Sequence, residues 1–193
     1  MARIVTKCDA EPCSGFCHQP RRCHLLWHPT DSSPLITLAR AHHLELLHEF
    51  YGQVLIPPEV HEEVTVAGAG LPGADEVRCA SWIQVRSDPG KGVGSAMESA
   101  CAGLGAGERS VIYLASGLQA AVVLIDEDRA RRVAKNLGLT VAGSIAVLER
   151  GAQLKKVPDL RSVYLSLLDQ GIRFNPDLLD QSLIRCGLEK LKQ

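Results

Sequence analysis

Aromatic residues are scarce in this chain: two Trp, three Tyr and three Phe make up 4% of its 193 residues. The core of such a chain has to be aliphatic, drawn from the Leu, Val, Ile and Ala that dominate its 46% hydrophobic fraction. Long apolar runs are missing too. None approaches the roughly 20 residues that a membrane-spanning helix requires, so no membrane role is expected. Lys7, Cys8 and Asp9 occupy the place where a secretory signal would carry its apolar segment. A cytoplasmic location is the expectation. Charge of one sign is not in excess either, with 21 basic against 22 acidic residues. A global basic surface for nucleic acid is thereby excluded, but local patches are not. Arg129, Arg131, Arg132 and Lys135 cluster, as do Lys155 and Lys156, which leaves room for a basic rim beside an acidic pocket.

Cysteine, by contrast, is present but badly placed for a disulfide framework. Cys8, Cys13, Cys17 and Cys23 crowd one end, and Cys79, Cys101 and Cys186 stand alone. An odd total of seven without a secretory signal argues against pairing. The spacing Cys8-x4-Cys13-x3-Cys17-His18-x4-Cys23 misses the Cys-x2-Cys pairs of structural zinc sites. Residues 1–23 are therefore read as a Cys-rich extension, poorly ordered, without helical or strand periodicity.

From residue 24 onward apolar strands and amphipathic helices alternate. A short apolar run ends at Trp27, and Leu35 to Phe50 repeats apolar residues at helical spacing. Val54–Ile56 reads as a strand stopped by Pro57-Pro58, which open a helix. "VAGAGLPGADEV" reads as a connection and "SWIQVR" as a strand. "GLGAGERSVIYLASGL" turns on glycine and continues as a helix. A six-residue apolar run ending at Ile125 stops at Asp126, Glu127 and Asp128, and a basic helix follows. A short run at 139–141 precedes a helix near 145–154. Asn175 caps a last helix with Pro176 at its first position. This alternation predicts an α/β fold with a parallel sheet covered on both faces.

In such a sheet, chemistry gathers beyond the carboxyl ends of the strands. Asp31, set between Pro29-Thr30 and the amphipathic run "SSPLITLAR", follows one strand; Asp126, Glu127 and Asp128 follow another; Glu63 and Glu108 stand early in two further helices. Each acid alone is explained by capping and the helix dipole. Four segments offering carboxylates to one edge point instead to a site that takes a divalent cation, since unneutralised carboxylates repel. Oxygen ligands of this kind suit Mg²⁺ or Mn²⁺. The histidines at 42, 43 and 48 fall on the first helix and read as surface or boundary residues.

Asp31 with the "SSPLITLA" after it, then "VLIPPEVHEEV", "LPGADEVRCASWIQV", "LGAGERSVIYLA", "LIDEDRARRVAKNLGLTVAGSIAVL" and "GIRFNPDLLDQSLIRCG", in this order, resemble the PIN-domain ribonucleases. The likeness is nearest to the short prokaryotic PIN proteins predicted to bind nucleic acids. It runs from about Asp31 to about Gly187 and makes 24–193 a PIN-like domain. It implies a Rossmann-like three-layer α/β/α sandwich with a central parallel sheet, an acidic pocket holding Mg²⁺ or Mn²⁺, and cleavage of single-stranded RNA. Carried over residue by residue, the four family acids fall on Asp31, Glu63, Glu108 and Asp126, with Asp128 as an extra carboxylate. Asp31 and Asp126 are then the main metal ligands, with Glu108 and Glu63 binding directly or through water. Ser33 matches the family's small hydroxyl and, like Ser32, is read as the helix cap beside Asp31. Arg129, Arg131 and Arg132 are the candidates for holding RNA phosphates. Many small relatives are toxins with a cognate antitoxin and form homodimers, so single-stranded or structured RNA, an antitoxin and a second copy of the chain are the partners implied.

The chain departs from the family pattern twice. Ser110 stands where many members carry a further acid, and His28-Pro29 interrupts the first strand, where proline removes a ladder hydrogen bond. A PIN fold that binds RNA or protein without cleaving is therefore the alternative reading. A haloacid-dehalogenase-type phosphatase is disfavoured by Ser33 where a second aspartate belongs. A response-regulator receiver would need a mid-chain phospho-aspartate and a late lysine after a strand, and neither is evident.

Overall fold

Short buried strands made of continuous apolar residues set the frame. Val54, Leu55 and Ile56 are fully buried, and so are Val123, Leu124 and Ile125, as expected of parallel strands covered on both faces. The computed structural model of the chain describes residues 27–87 and 94–191. The Cys-rich stretch, and with it the extension expected over 1–23, lies outside the described residues.

Strand β1 (His28–Pro29) leads to α1 (Ser32–Arg40), α2 (Glu45–Tyr51) and β2 (Val54–Ile56). Helix α3 (Pro58–His61) passes into a π-helical turn (Glu62–Ala67), followed by α4 (Ala74–Cys79) and β3 (Ile83–Val85). Then come α5 (Ser95–Ala100), α6 (Ala106–Leu118), β4 (Val123–Leu124), α7 (Asp128–Asn136) and β5 (Val141–Ala142). Helices α8 (Ser144–Gln153), α9 (Leu160–Asp169) and α10 (Pro176–Arg185) close the chain. All strand pairs are parallel, and a bridge between Thr30 and Leu124 joins the two halves in the order β3-β2-β1-β4-β5. Helices α1, α2, α4 and α8 pack together, while α6 and α7 pack on each other and against β1, β4 and β5. The result is a Rossmann-like three-layer α/β/α sandwich. Strand order reverses between β1 and β4, and the crevice beyond that point is where such folds bind ligands.

Pro29 lies inside this central strand, a correction to the reading of His28-Pro29 as an interruption. The Thr30 amide donates to the Leu55 carbonyl (2.9 Å) and the Asp31 amide to that of Leu124 (3.0 Å). Successive amides point to opposite edges, so the nitrogen of Pro29 faces β4 just where that strand begins. The proline removes one bond to β4 and leaves β2 untouched. That is why the halves meet in a single bridge, and the amide of Asp31 is still anchored to the sheet.

Other departures have equally local causes. The helical spacing over 35–50 is shared by two helices, because His42 adopts a left-handed conformation (φ +57°). Its amide and that of His43 return to the carbonyls of Ala39 and Leu38, closing α1. His42 and His43 thus sit in the turn, and only His48 is helical, stacked on Trp82 at 5.4 Å. The glycine-rich connection after residue 66 contains α4, and α9 has no counterpart in the sequence reading. Its cap is Asp159, whose Oδ1 accepts the Ser162 amide at 2.9 Å. The predicted cap of the last helix is present: Asn175 Oδ1 accepts the Asp177 amide at 3.0 Å. None of the described helices is long and apolar enough to cross a membrane.

Candidate active site

Asp31 occupies the N-cap position of α1, the place that Ser32 or Ser33 was expected to take, yet its carboxylate makes no capping bond. The capping explanation therefore does not account for it. The side chain is 3% exposed. Its pKa is raised to about 7, chiefly by burial and in smaller part by the carboxylates of Glu108, Glu63 and Asp126, against the opposing pull of the nearby Ser32 amide.

Around it lies a cleft of about 670 Å³ lined by Asp31, Ser32, Ser33, Glu59, Glu62, Glu63, Glu108, Glu127 and the start of α6. Six carboxylates face it, and among the described residues no basic side chain does. Glu63 reaches in from the π-helical turn, whose i+5 pattern is seen in the Gly68 amide bonding the Glu63 carbonyl at 3.0 Å. Such turns recur at functional sites. Gly107 opens the space between the carboxylates: a Cβ there would stand 3.3 Å from Glu63 Oε2 and 3.5 Å from Asp31 Oδ1. Glu108 is partly committed elsewhere. Its Oε2 accepts the Gly105 amide at 2.7 Å, half of a capping box whose other half Gly105 cannot supply.

Asp126, just beyond β4, is near enough to act on Asp31 but lines the neighbouring cleft. Its Oδ1 accepts the Ser144 amide at 2.7 Å, while its Oδ2 is buried without a partner among the described residues. Burial raises its pKa, and Ser144 and then Arg131 lower it. Ser33 and Glu127 line both clefts. Asp128 is exposed at the first position of α7 and borders only the second cleft. The structure thus brings Asp31, Glu63 and Glu108 to one cleft, with Asp126 at its border.

Three further glutamates line that cleft, two of them absent from the acids drawn from the sequence and one, Glu127, named there without a site role. Two of them, Glu59 and Glu62, stand with Glu63 at helical i, i+3 and i+4 spacing, a pattern that marks one face. The third is Glu127, whose Oε2 caps α7 through the Ala130 amide at 2.6 Å.

The arginines of α7 are engaged by backbone carbonyls. Arg129 donates to Ala102 (3.1 Å), Arg131 to Ile125 (2.6 Å) and Arg132 to Asp128 (3.3 Å). Only Arg131 faces a cleft, and it lies beside Asp126.

Gly143 carries a sharp requirement. A Cβ at this position would meet Asp126 Oδ1 at 2.6 Å and Arg131 Nη1 at 2.7 Å. Gly143→Ala is expected to cost about 1–3 kcal/mol and to displace the Asp126 carboxylate. Thermal melts and a cleavage assay of the variant check this; an unchanged melting temperature contradicts it.

Among the described residues, no three carboxylate, imidazole or thiol groups stand close enough to form a ready-made metal cage. The donor set nonetheless fits a hard cation. It is all oxygen, one oxygen of Asp126 is orphaned, and the space at Gly107 sits between two carboxylates. A cation that keeps several of its waters tolerates carboxylates spaced in this way.

A parallel sheet with acids gathered beyond its switch point places the chain among Rossmann-like α/β proteins with an all-oxygen cleft where such sheets bind ligands. Residues 30–187 match the family model described as PIN domain. The chain belongs to the PIN-domain family, whose members are generally nucleases that use divalent metal ions. No curated protein and no solved structure matches the chain.

Proposed function

We propose that the protein is a Mg²⁺- or Mn²⁺-dependent endoribonuclease that cleaves phosphodiester bonds of single-stranded RNA. The observation that carries this reading is the charge imbalance of the first cleft. Asp31 is so crowded by burial and by neighbouring carboxylates that it is half protonated near neutral pH, and no basic side chain among the described residues lines that cleft to relieve it. A cation supplies the missing charge. Asp31 and Asp126 are assigned as its principal holders, with Glu63 and Glu108 acting through water and Asp128 as an outer carboxylate. When bound, such an ion activates water and neutralises the leaving oxygen. Its assignment to Asp126 is supported by the Ser144 amide, which holds one carboxylate oxygen and leaves the second without a partner among the described residues. Ser33 lines both clefts, and its hydroxyl is assigned to a non-bridging phosphate oxygen.

A binding-only protein is the second reading. It draws on Ser110, which removes one family acid, and on the engagement of Glu108 by Gly105. Single-stranded and hairpin RNA incubated with the protein and Mn²⁺ separates the two. Cleavage that EDTA abolishes is expected; RNA left intact under every metal condition sinks the nuclease reading. A toxin role with an antitoxin partner and a homodimer is supported by resemblance alone. A neighbouring reading frame for a small DNA-binding protein, and a two-fold mass in light scattering, are the expected findings.

A further inference from the structure

The second cleft, about 690 Å³, lies between α1, the start of α8 and the loop joining α9 to α10. Its volume is in the range of small-ligand sites. Four guanidinium groups line it, and they are not equivalent. Arg185 is spent on a bidentate pair with Glu149 (2.7 and 2.8 Å), which Ser182 also holds at 3.0 Å. Arg131 is spent on the Ile125 carbonyl and on Asp126. Arg40 and Arg173 are different. Arg40 makes one long contact, Nη1 to the Gln170 carbonyl at 3.4 Å, and its Nε is buried with no partner among the described residues. Arg173 is exposed and has no hydrogen bond or ion pair among the described residues. A sealed, unpaired guanidinium donor is unfavourable unless an acceptor arrives.

The same cleft is also lined by Asp126, Glu127 and Asp128 from the end of β4 and the start of α7, whereas Arg40 comes from the end of α1 and Arg173 from the α9–α10 loop. Its lining also includes the apolar side chains of Ile36, Ile145 and Phe174. The loop that carries Phe174 is fixed by its entry. Gly171 (φ +80°) ends α9, its amide returning to Leu168 and that of Ile172 to Leu167. A half-buried aromatic that shares a cleft with an exposed, unpaired guanidinium and one held only by a long contact is a combination that can grip single-stranded nucleic acid, by stacking a base and pairing its phosphate.

We propose that this cleft seats an RNA nucleotide adjoining the cleaved bond, its base stacked on Phe174 and its phosphate held by Arg40 and Arg173. The proposal rests on the ribonuclease reading and moves the basic rim from α7 to the α1 end and the α9–α10 loop.

The test is fluorescence anisotropy of a short labelled single-stranded RNA on the full chain in EDTA, between about 50 and 200 mM salt. Arg173→Ala is expected to weaken binding about five- to tenfold and to lower the salt slope by about 0.7, the share of one phosphate contact on a single strand. Arg40→Gln is expected to act in the same direction. Phe174→Leu keeps apolar packing and is expected to weaken binding about tenfold with the slope unchanged. Arg173 is exposed, so its variant reports on binding even if Arg40→Gln loosens the contact with Gln170. Wild-type affinity and slope in both Arg173→Ala and Phe174→Leu overturn the proposal. Parallel cleavage assays with Mn²⁺ keep the two readings apart. Cutting by the wild type together with unaffected variants rejects this seat alone, whereas a wild type that neither binds nor cuts rejects both.

Discussion

Asparagine in place of Asp31 is expected to make the protein more stable at neutral and alkaline pH while abolishing its activity. The carboxyl has a folded pKa of about 7 against an ordinary 3.8, raised first by burial and then by its acidic neighbours. Between those two values the folded chain keeps a proton that the unfolded chain has released, so stability falls as pH rises through that window. Above pH 7 the full ionisation penalty applies, at most roughly 4 kcal/mol. Asparagine carries no charge and escapes the penalty. For a chain of this length that gain corresponds to a rise in Tm on the order of 10 °C, shrinking to nothing as pH falls toward 4. Thermal melts of both proteins at several pH values without metal check this. Parallel melting curves with no pH-dependent gap contradict it. Saturating Mn²⁺ is expected to close the gap from the other side, stabilising the wild type and not the variant.

The second large effect concerns Asp126. In Asp126→Asn the amide oxygen can still accept the Ser144 N–H, so the loop and the start of α8 are expected to keep their places. The orphaned Oδ2 becomes an amide NH₂ that cannot hold a cation and stands near the Arg131 guanidinium. With Asp126 in its proposed role as a metal holder, the loss is expected to remove several kcal/mol of transition-state stabilisation, about a thousandfold in rate. Asp128→Asn, at an exposed position on the rim of the second cleft, is expected to lower the rate less than tenfold. Single-turnover cleavage of the same RNA by both variants makes the comparison. Equal losses would show that the two acids act alike and that the orphaned oxygen has no special part.

The fold was readable because its strands are short, continuous and apolar, and because acids stop them. The run ending at Ile125 announces itself in this way, Val54–Ile56 does so by the Pro57-Pro58 that stops it, and Asn175-Pro176 marks a helix start by its chemistry. What escaped the sequence depended on contacts between distant segments. Pro29 looked disruptive because a proline's effect depends on which edge its nitrogen faces, and that is set by β2 and β4 rather than by its neighbours. The break between α1 and α2 relies on His42 in a left-handed turn, a conformation that residue type alone does not demand. Asp31 and Asp126 could be placed at a sheet edge from their positions after strands, but not the asymmetry between them: one is crowded by carboxylates, the other tied by one oxygen to Ser144. The α7 arginines were the obvious basic cluster in one dimension. In three dimensions they serve backbone carbonyls, while Arg40 and Arg173, more than a hundred residues apart in sequence, border one cleft. Glu59 and Glu62 were legible in principle, through their spacing with Glu63.

The proposed nuclease depends on Asp31, buried at the end of β1, taking up a cation. Calorimetric titration of the metal-free protein with Mn²⁺ near pH 6.5, in two buffers of different ionisation enthalpy, tests it most directly. Uptake by the wild type with release of a fraction of a proton is expected, because an Asp31 still largely protonated must ionise as the metal binds, and Asp31→Asn is expected to lose both uptake and release. Equal Mn²⁺ affinity and equal proton release in the two proteins would contradict it.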